Sequence, residues 1–308
     1  MPQTTLRREI RFTGTGLHTG KSVCTVLRPA SADTGIVFHV TNGDRHEDIL
    51  LSPSAVSSTG LATTLSKNGV RVSTVEHLLG ALRGMGIDNV HVDVDGIEIP
   101  IMDGSAQEFV AEIKLAGVVE QKAPRRFLRL ADTVEFALDG KSIKAEPYRG
   151  FAVDYLIDFP HPVISRQQRF VSVTPASFAQ VASSRTFGFL KDVQALQAHG
   201  LALGGSLDNA IVLDEKGVLN EGGLRSPDEF VRHKILDFVG DLGVFAHPIQ
   251  GRFTVSCSGH EVNNAFARHL QDNGLLRLET EALASRAFKP QGMFLPESHR
   301  QPVEAMIG

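Results

Sequence analysis

Three observations predict an α+β fold of two related halves, each with helices packed on one face of a mostly antiparallel sheet. Alternating apolar and β-branched residues, punctuated by Gly, Pro and Asn-Gly signals, recur in both halves of the chain, as strands and turns do. A helix–strand–helix order over residues 73–116 returns over residues 227–270. The spacing returns with it: His77 stands 28 residues before Ser105, and His233 stands 27 before His260. The length of 308 residues suits two domains at roughly 100–200 residues each.

Taken in order, residues 22–27 and 35–40 alternate as strands do. A helix starts at Ser73 and Thr74, carries Val75, Leu78, Leu79 and Leu82 at helical spacing, and stops at Gly84 and Gly86. Residues 90–94 alternate strictly and form a strand, with 97–102 following. Asp103, Gly104 and Ser105 open a second helix, with Ser105 and Glu108 in a capping-box pattern and Gly117 as the stop. The polar, proline-bearing stretch 120–126 has the character of a linker, dividing the chain into domains 1–122 and 127–308.

Beyond it, strands are expected at 127–130, 133–137, 142–145 and 152–157, and a helix after Thr174, with Pro175 at its first position. The glycine-rich region around 188–214 looks like an insertion with a loop and a short strand. A helix over 227–242, a strand over 252–257 and a helix near 260–270 complete the second half. Pro290, Pro296 and Pro302 give the last residues, from about 275, the character of an irregular tail.

Composition narrows the function. Two cysteines can form neither a disulfide framework nor a Cys-rich structural zinc site, and a reducing cytoplasm is the simplest home. No apolar run approaches the ~20 residues that span a bilayer, so an integral membrane segment is not expected. A formal net charge of −4 with no basic stripe argues against nucleic-acid binding, while leaving room for one small anionic substrate. Any metal must then sit on some of the twelve histidines and on carboxylates, which is the chemistry of an open catalytic site.

His233 and Asp237, at i and i+4, share one helical face, as metal donors on a rigid platform would. Taken alone, the pair is better explained as an exposed helix face. Glu76 and His77 sit together in a first helical turn, where His77 can hold an ion and Glu76 can take a proton from water. Ser73 and Glu76 equally fit a capping box, so the two readings of Glu76 weigh about the same locally. Combined, His77, His233 and Asp237 supply three ligands, one set from each half, and leave the fourth tetrahedral position to water. An active site between the two helix layers follows. His260 begins a helix, where the dipole favours its neutral form; a carboxylate such as Asp241 could offset this and keep it protonated as a general acid, while a plain cap is the simpler alternative. The remaining histidines, among them His18, His39, His46, His91 and His161, show no paired ligands and read as structural or solvated.

Five motifs in unbroken order carry a resemblance: STVEHL at 73–78, IPIMDGS at 99–105, SRTFGF at 184–189, HKILD at 233–237 with GDL at 240–242, and GHEVNN at 259–264. From about residue 5 to residue 270 the sequence resembles the UDP-3-O-acyl-N-acetylglucosamine deacetylases, zinc amidases of lipid A biosynthesis. The resemblance implies that His77, His233 and Asp237 hold one zinc ion and that Glu76 is the general base. It implies His260 as general acid, Asp241 as the group that orients it, and Thr186 as an oxyanion donor. Lys234 falls near the sugar and diphosphate, Phe187 against the sugar face, and Phe159 where an aromatic stacks on uracil. The 188–214 insertion corresponds to an acyl-chain passage, with Val193, Ala202 and Val212 as lining. Ala202 and Ala62 occupy positions where some members carry cysteine.

The expectation is therefore hydrolytic deacetylation of a UDP-sugar bearing an acyl chain, by a cytoplasmic monomer. Ferrous iron suits the same donors as zinc. A deacetylase of another amino sugar and a non-enzymatic nucleotide-sugar-binding protein are the alternatives.

Overall fold

The computed structural model describes residues 1–280. Six α-helices order the description: α1 (Glu76–Gly84), α2 (Gln107–Ala116), α3 (Pro175–Ala182), α4 (Leu190–Ala198), α5 (Glu229–Leu242) and α6 (His260–Asp272).

The first half is built on a five-stranded sheet in the order Ile10–Thr15, Ser22–Pro29, Val90–Asp95, Ile36–Asn42, Arg45–Leu50. All neighbours are antiparallel except Val90–Asp95 and Ile36–Asn42, which run parallel. The second half repeats this pattern step for step. Val134–Leu138, Lys141–Glu146, Ile249–Ser256, Phe151–Asp158 and Arg166–Val173 lie side by side, again with one parallel step beside the central strand. In each half a helix enters the central strand and a second helix leaves it: α1 and α2 in the first, α5 and α6 in the second. The matched spacing of His77–Ser105 and His233–His260 thus marks a repeated topology.

Strand patterning explains why one face of each sheet takes the helices. In Val90–Asp95 the three valines are buried while His91 and Asp93 point the other way. The inner faces and the helices form one apolar core that spans both halves, with Phe109, Phe178, Phe230, Phe238, Phe253 and Phe266 fully buried. The core aromatics meet edge-on, as Phe12 does with Phe109 at 4.8 Å between ring centroids.

Helices α1 and α5 carry the joint between the halves. Mid-helix glycine costs roughly 0.5–1 kcal/mol relative to alanine, so Gly80 and Gly240 call for a reason. The reason is close approach. A Cβ on Gly240 would lie 2.0 Å from the Glu76 carbonyl oxygen, and one on Gly80 would lie 2.8 Å from Leu236 Cδ1.

Several boundaries differ from expectation. Helix α1 begins at Glu76 rather than Ser73, and Ser73 instead donates its N–H to the Ile97 carbonyl. Helix α2 begins at Gln107, so Ser105 is not in a capping box with Glu108; Ser105 Oγ accepts from Gln107 N–H and donates to Asp103. The stretch expected as a linker is not irregular, because Val118–Pro124 pairs antiparallel with Pro2–Leu6. The tail does not become irregular at 275 either: Leu276–Thr280 pairs with Arg126–Leu130. In both cases backbone pairing, not apolar patterning, makes the strand. Pro290, Pro296, Pro302 and His299 lie outside the described residues. The insertion holds a short parallel pair, Phe187–Phe189 with Ile211–Leu213, and also α4, which buries no residue and so left no core-facing period to read. At α3 the expectation holds, with Pro175 in the first turn and a full capping box from Thr174.

Gly240→Ala should therefore lower stability by about 1–3 kcal/mol in urea unfolding, the usual cost of overpacking. An unchanged midpoint would mean that the helices do not need this approach.

Candidate metal centre

Helix α5 turns His233, Asp237 and Asp241, each four residues after the last, onto one face, and all three are buried. Helix α1 opposes that face with Glu76 and His77, both also buried, at its first two positions. Helix α6 opens on His260. Side chains from three helices and both halves thus meet at one point.

The donors converge on one oxygen. His233 Nε2 lies 3.3 Å and His77 Nε2 3.6 Å from Asp237 Oδ1. Their rings stand nearly perpendicular, 5.1 Å apart. Asp237 Oδ1 is buried with no hydrogen-bond partner, a costly state for a carboxylate oxygen. A cation could supply that partner, and His233 could hold the same ion. Its Nδ1 lies 3.0 Å from the Ser184 carbonyl, which only accepts, so the proton sits on Nδ1 and Nε2 keeps its lone pair. Burial pushes the His233 pKa down to about 3 against the opposing pull of Asp237, so the ring is neutral at pH 7. Burial also resists the charge on Asp237, but the Lys234 ammonium on Oδ2 and the surrounding imidazoles outweigh it and hold the carboxyl well below its usual range. The donor set suits a divalent ion of intermediate hardness.

Beside these donors stand the Glu76 carboxyl and the His260 imidazole. Glu76 Oε2 accepts the Thr63 N–H at 3.0 Å, while Oε1 faces His260 Nε2 across 3.9 Å. Burial raises the Glu76 pKa, partly offset by His260 and His77. The Ser73 capping alternative for Glu76 is not realised, since Ser73 Oγ accepts from Thr64 instead. His260 Nδ1 lies 2.8 Å from Asp241 Oδ2. Burial alone would lower the His260 pKa, but the charge and hydrogen bond of Asp241 win and raise it to about 10. The imidazolium is therefore the neutral-pH form, contrary to the bare helix-dipole expectation.

Several supporting residues carried no local sequence signal. Thr63 joins the two carboxylates, its N–H on Glu76 and its hydroxyl on Asp241 Oδ1 at 2.6 Å. Asn263 donates to Asp241 Oδ2 at 2.8 Å and lies inside the GHEVNN motif, where it could have been singled out. Thr74, in the left-handed region at φ 59°, donates to Glu98, a buried carboxylate that also accepts from His18 N–H and Thr19 N–H. That anchor fixes the backbone two residues before Glu76. Arg185 and Glu229, paired through two contacts of 2.9 and 3.1 Å, lash the 184–189 segment to the start of α5.

The expected substrate contacts fall in two groups. Phe187 packs on His233 (6.2 Å) and Phe230 (5.0 Å), with Lys234 Nζ 5.5 Å above its ring. Lys234 Nζ also donates to Asp237 Oδ2 at 2.8 Å, which ties it to the donor group. Phe159 meets Phe187 edge-on at 5.8 Å and lines a cavity of about 470 Å³ with His161, Phe189, Lys191 and Asp214. Thr186 stands between Arg185 and Phe187, its N–H bonded to Gly104 O. Val212 lies opposite Gly188 in the short parallel pair, with Val193 against that glycine. Ala202 is buried in the next loop, which hydrogen-bonds to Leu17 and His18 of the first half.

Comparison with known proteins gives the family of the chain. The family model described as UDP-3-O-acyl N-acetylglycosamine deacetylase matches residues 3–272. Proteins named UDP-3-O-acyl-N-acetylglucosamine deacetylase are similar over nearly the whole chain. The one from Nitratidesulfovibrio vulgaris is 54% identical over 283 residues, 92% of each chain. That of Oleidesulfovibrio alaskensis is 53% identical over 288 residues, 93% of this chain and 94% of its own. The Thioalkalivibrio sulfidiphilus protein is 48% identical over 306 residues, 98% of this chain and 99% of its own. A site assembled from both halves and a match that runs through both lead to one conclusion: the chain belongs to the UDP-3-O-acyl N-acetylglycosamine deacetylase family.

Proposed function

We propose that the chain removes the acetyl group of UDP-3-O-acyl-N-acetylglucosamine by metal-dependent hydrolysis, releasing acetate in lipid A biosynthesis. The observation that carries this reading is the unpartnered buried Asp237 Oδ1, flanked by two imidazole nitrogens and next to a facing acid–base pair. His77, His233 and Asp237 are the residues that would hold one ion, and two imidazoles with a carboxylate favour zinc, with ferrous iron able to use the same donors. Bound there, the ion supplies a Lewis acid that acidifies water and polarises the amide carbonyl.

The protein's own groups do the rest. Glu76, buried and held through Oε2, receives the proton of the attacking water on Oε1. Thr186 contributes its hydroxyl to the oxyanion. His260, kept as imidazolium by Asp241, donates from Nε2 to the leaving amine. Glu76 Oε1 and His260 Nε2 lie 3.9 Å apart, so a proton acceptor and a proton donor border the same reaction space. Asn263 and Thr63 fix Asp241, so the acid cannot swing away during turnover.

Recognition falls to the aromatic wall and the insertion. Phe187 and Lys234 serve the sugar and diphosphate, and Phe159 the uracil. Val193, Ala202 and Val212 line the acyl passage, a reading supported by the apolar surface that Leu201, Leu203 and Leu207 expose beside it. No helix among the described residues is long and apolar enough to cross a membrane. We take the chain to act as a cytoplasmic monomer, divided into domains at 1–122 and 127–308.

Chelation should abolish acetate release, and added Zn2+ should restore it; turnover that survives chelation would leave a metal-free or merely binding protein. Removing the 3-O-acyl chain from the substrate should sharply lower kcat/KM, whereas equal turnover of plain amino sugars would favour a different deacetylase. Glu76→Ala should keep its metal and lose ~10²-fold or more in kcat. Loss of the metal instead would make Glu76 a ligand. The kcat/KM profile should be bell-shaped, with Glu76 on the acid limb and His260 on the alkaline limb. Because the Asp241 charge raises the His260 pKa, Asp241→Asn should move the alkaline limb to lower pH. An unmoved limb would remove His260 as the acid.

A further inference from the structure

The outer face of the first sheet carries a second group of metal donors, on histidines whose sequence spacing shows no paired ligands. Among the described residues, His39, His46 and Asp48 bring their donor atoms within 4.8 Å of one another. Strand register produces this. His39 lies opposite Asp48 and Thr41 opposite His46, so the three side chains rise from the same pleated face of Ile36–Asn42 and Arg45–Leu50. Their neighbours Phe38, Val40 and Ile49 point into the core, so this face is turned away from helices α1 and α5.

We propose that His39, His46 and Asp48 form a second divalent-metal site, of the Zn2+, Cu2+ or Ni2+ class, separate from the catalytic centre. Asp48 Oδ1 lies 2.6 Å from His39 Nδ1 and 3.2 Å from His46 Nε2. Tetrahedral ligands at ~2.1 Å bonds stand about 3.4 Å apart, so small rotations of exposed side chains suffice. Imidazole with carboxylate selects late first-row ions over Mg2+ or Ca2+, and three protein ligands leave a fourth position to solvent.

His91 completes the design behind His39. Its Nδ1 lies 2.8 Å from His39 Nε2. Without metal, Asp48 accepts from His39 Nδ1–H, and a neutral His39 then accepts from His91 at Nε2. With metal on Nδ1, the neutral His39 ring carries its proton on Nε2 and donates to His91 Nδ1. The same contact therefore serves both states by reversing direction, which is the outer-shell support that metal-bound imidazoles require. The neighbouring cations are engaged elsewhere, Lys67 by the Asp48 backbone carbonyl and Glu47, and Arg28 by Asp93.

Equilibrium dialysis of the whole chain against Zn2+ alone tests this, with bound metal counted by mass spectrometry and acetate release followed in parallel. Wild type should hold two equivalents, one resisting buffer exchange and one leaving readily. His46→Ala and Asp48→Ala, both exposed positions, should each weaken the second equivalent at least ten-fold while leaving deacetylation unchanged. Cu2+ added to the protein with its first site loaded should show nitrogen coupling in its electron paramagnetic resonance spectrum, lost in His39→Ala. A single equivalent in wild type, or two undiminished equivalents in the variants, would overturn the proposal.

Discussion

The crossing of α1 and α5 is the constraint on which the rest depends. Each helix alone offers only half a metal site: Glu76 and His77 on one, His233 and Asp237 on the other. His77 Nε2 comes within 3.6 Å of Asp237 Oδ1 only because the helix backbones touch at Gly240 and Gly80. A bulkier pair of residues would separate the helices by the thickness of a methyl or more, and the carboxylate could no longer reach both imidazoles. Helix propensity is sacrificed at two positions so that two halves can share one ion. The buried phenylalanines around α5 hold the crossing from behind, and the Arg185–Glu229 pair holds its entrance.

Electrostatics then divides three buried carboxylates among three roles. Asp237 sits with His233 and Lys234 and stays ionised. Asp241 is saturated by Thr63, Asn263 and His260, so its charge is committed to one imidazolium. Glu76 has a single backbone donor on one oxygen and burial around it, so it alone is left poised to change protonation. Environment, not residue type, gives the three carboxyls different protonation behaviour, and with it the roles proposed for them.

Much of the fold and the site is legible in the sequence, and the failures have a common cause. Periodic apolar residues expose α1, α5, α6 and most of the central strands, because burial on one face writes a period into the chain. The Val118–Pro124 and Leu276–Thr280 strands leave no such mark, since they are held by backbone pairing at the edges and bury little. Helix α4 is hidden for the same reason. In the site, His77, His233, Asp237, Glu76 and His260 stand out because their residue types carry chemistry. Thr63 and Glu98 act through hydrogen bonds to partners 13 to 178 residues away, and no local pattern encodes such a distance. His39, His46 and Asp48 give no signal because only strand register, not spacing, brings them together.

The most direct measurement is anomalous diffraction at the metal absorption edge from crystals of the chain loaded with one equivalent of Zn2+. A site shared between the two helices predicts a dominant peak within bonding distance, ~2.0–2.2 Å, of His77 Nε2, His233 Nε2 and Asp237 Oδ1, with Glu76 outside the ligand sphere. A dominant peak that leaves out His77 or His233, or that is ligated by Glu76, would contradict that sharing.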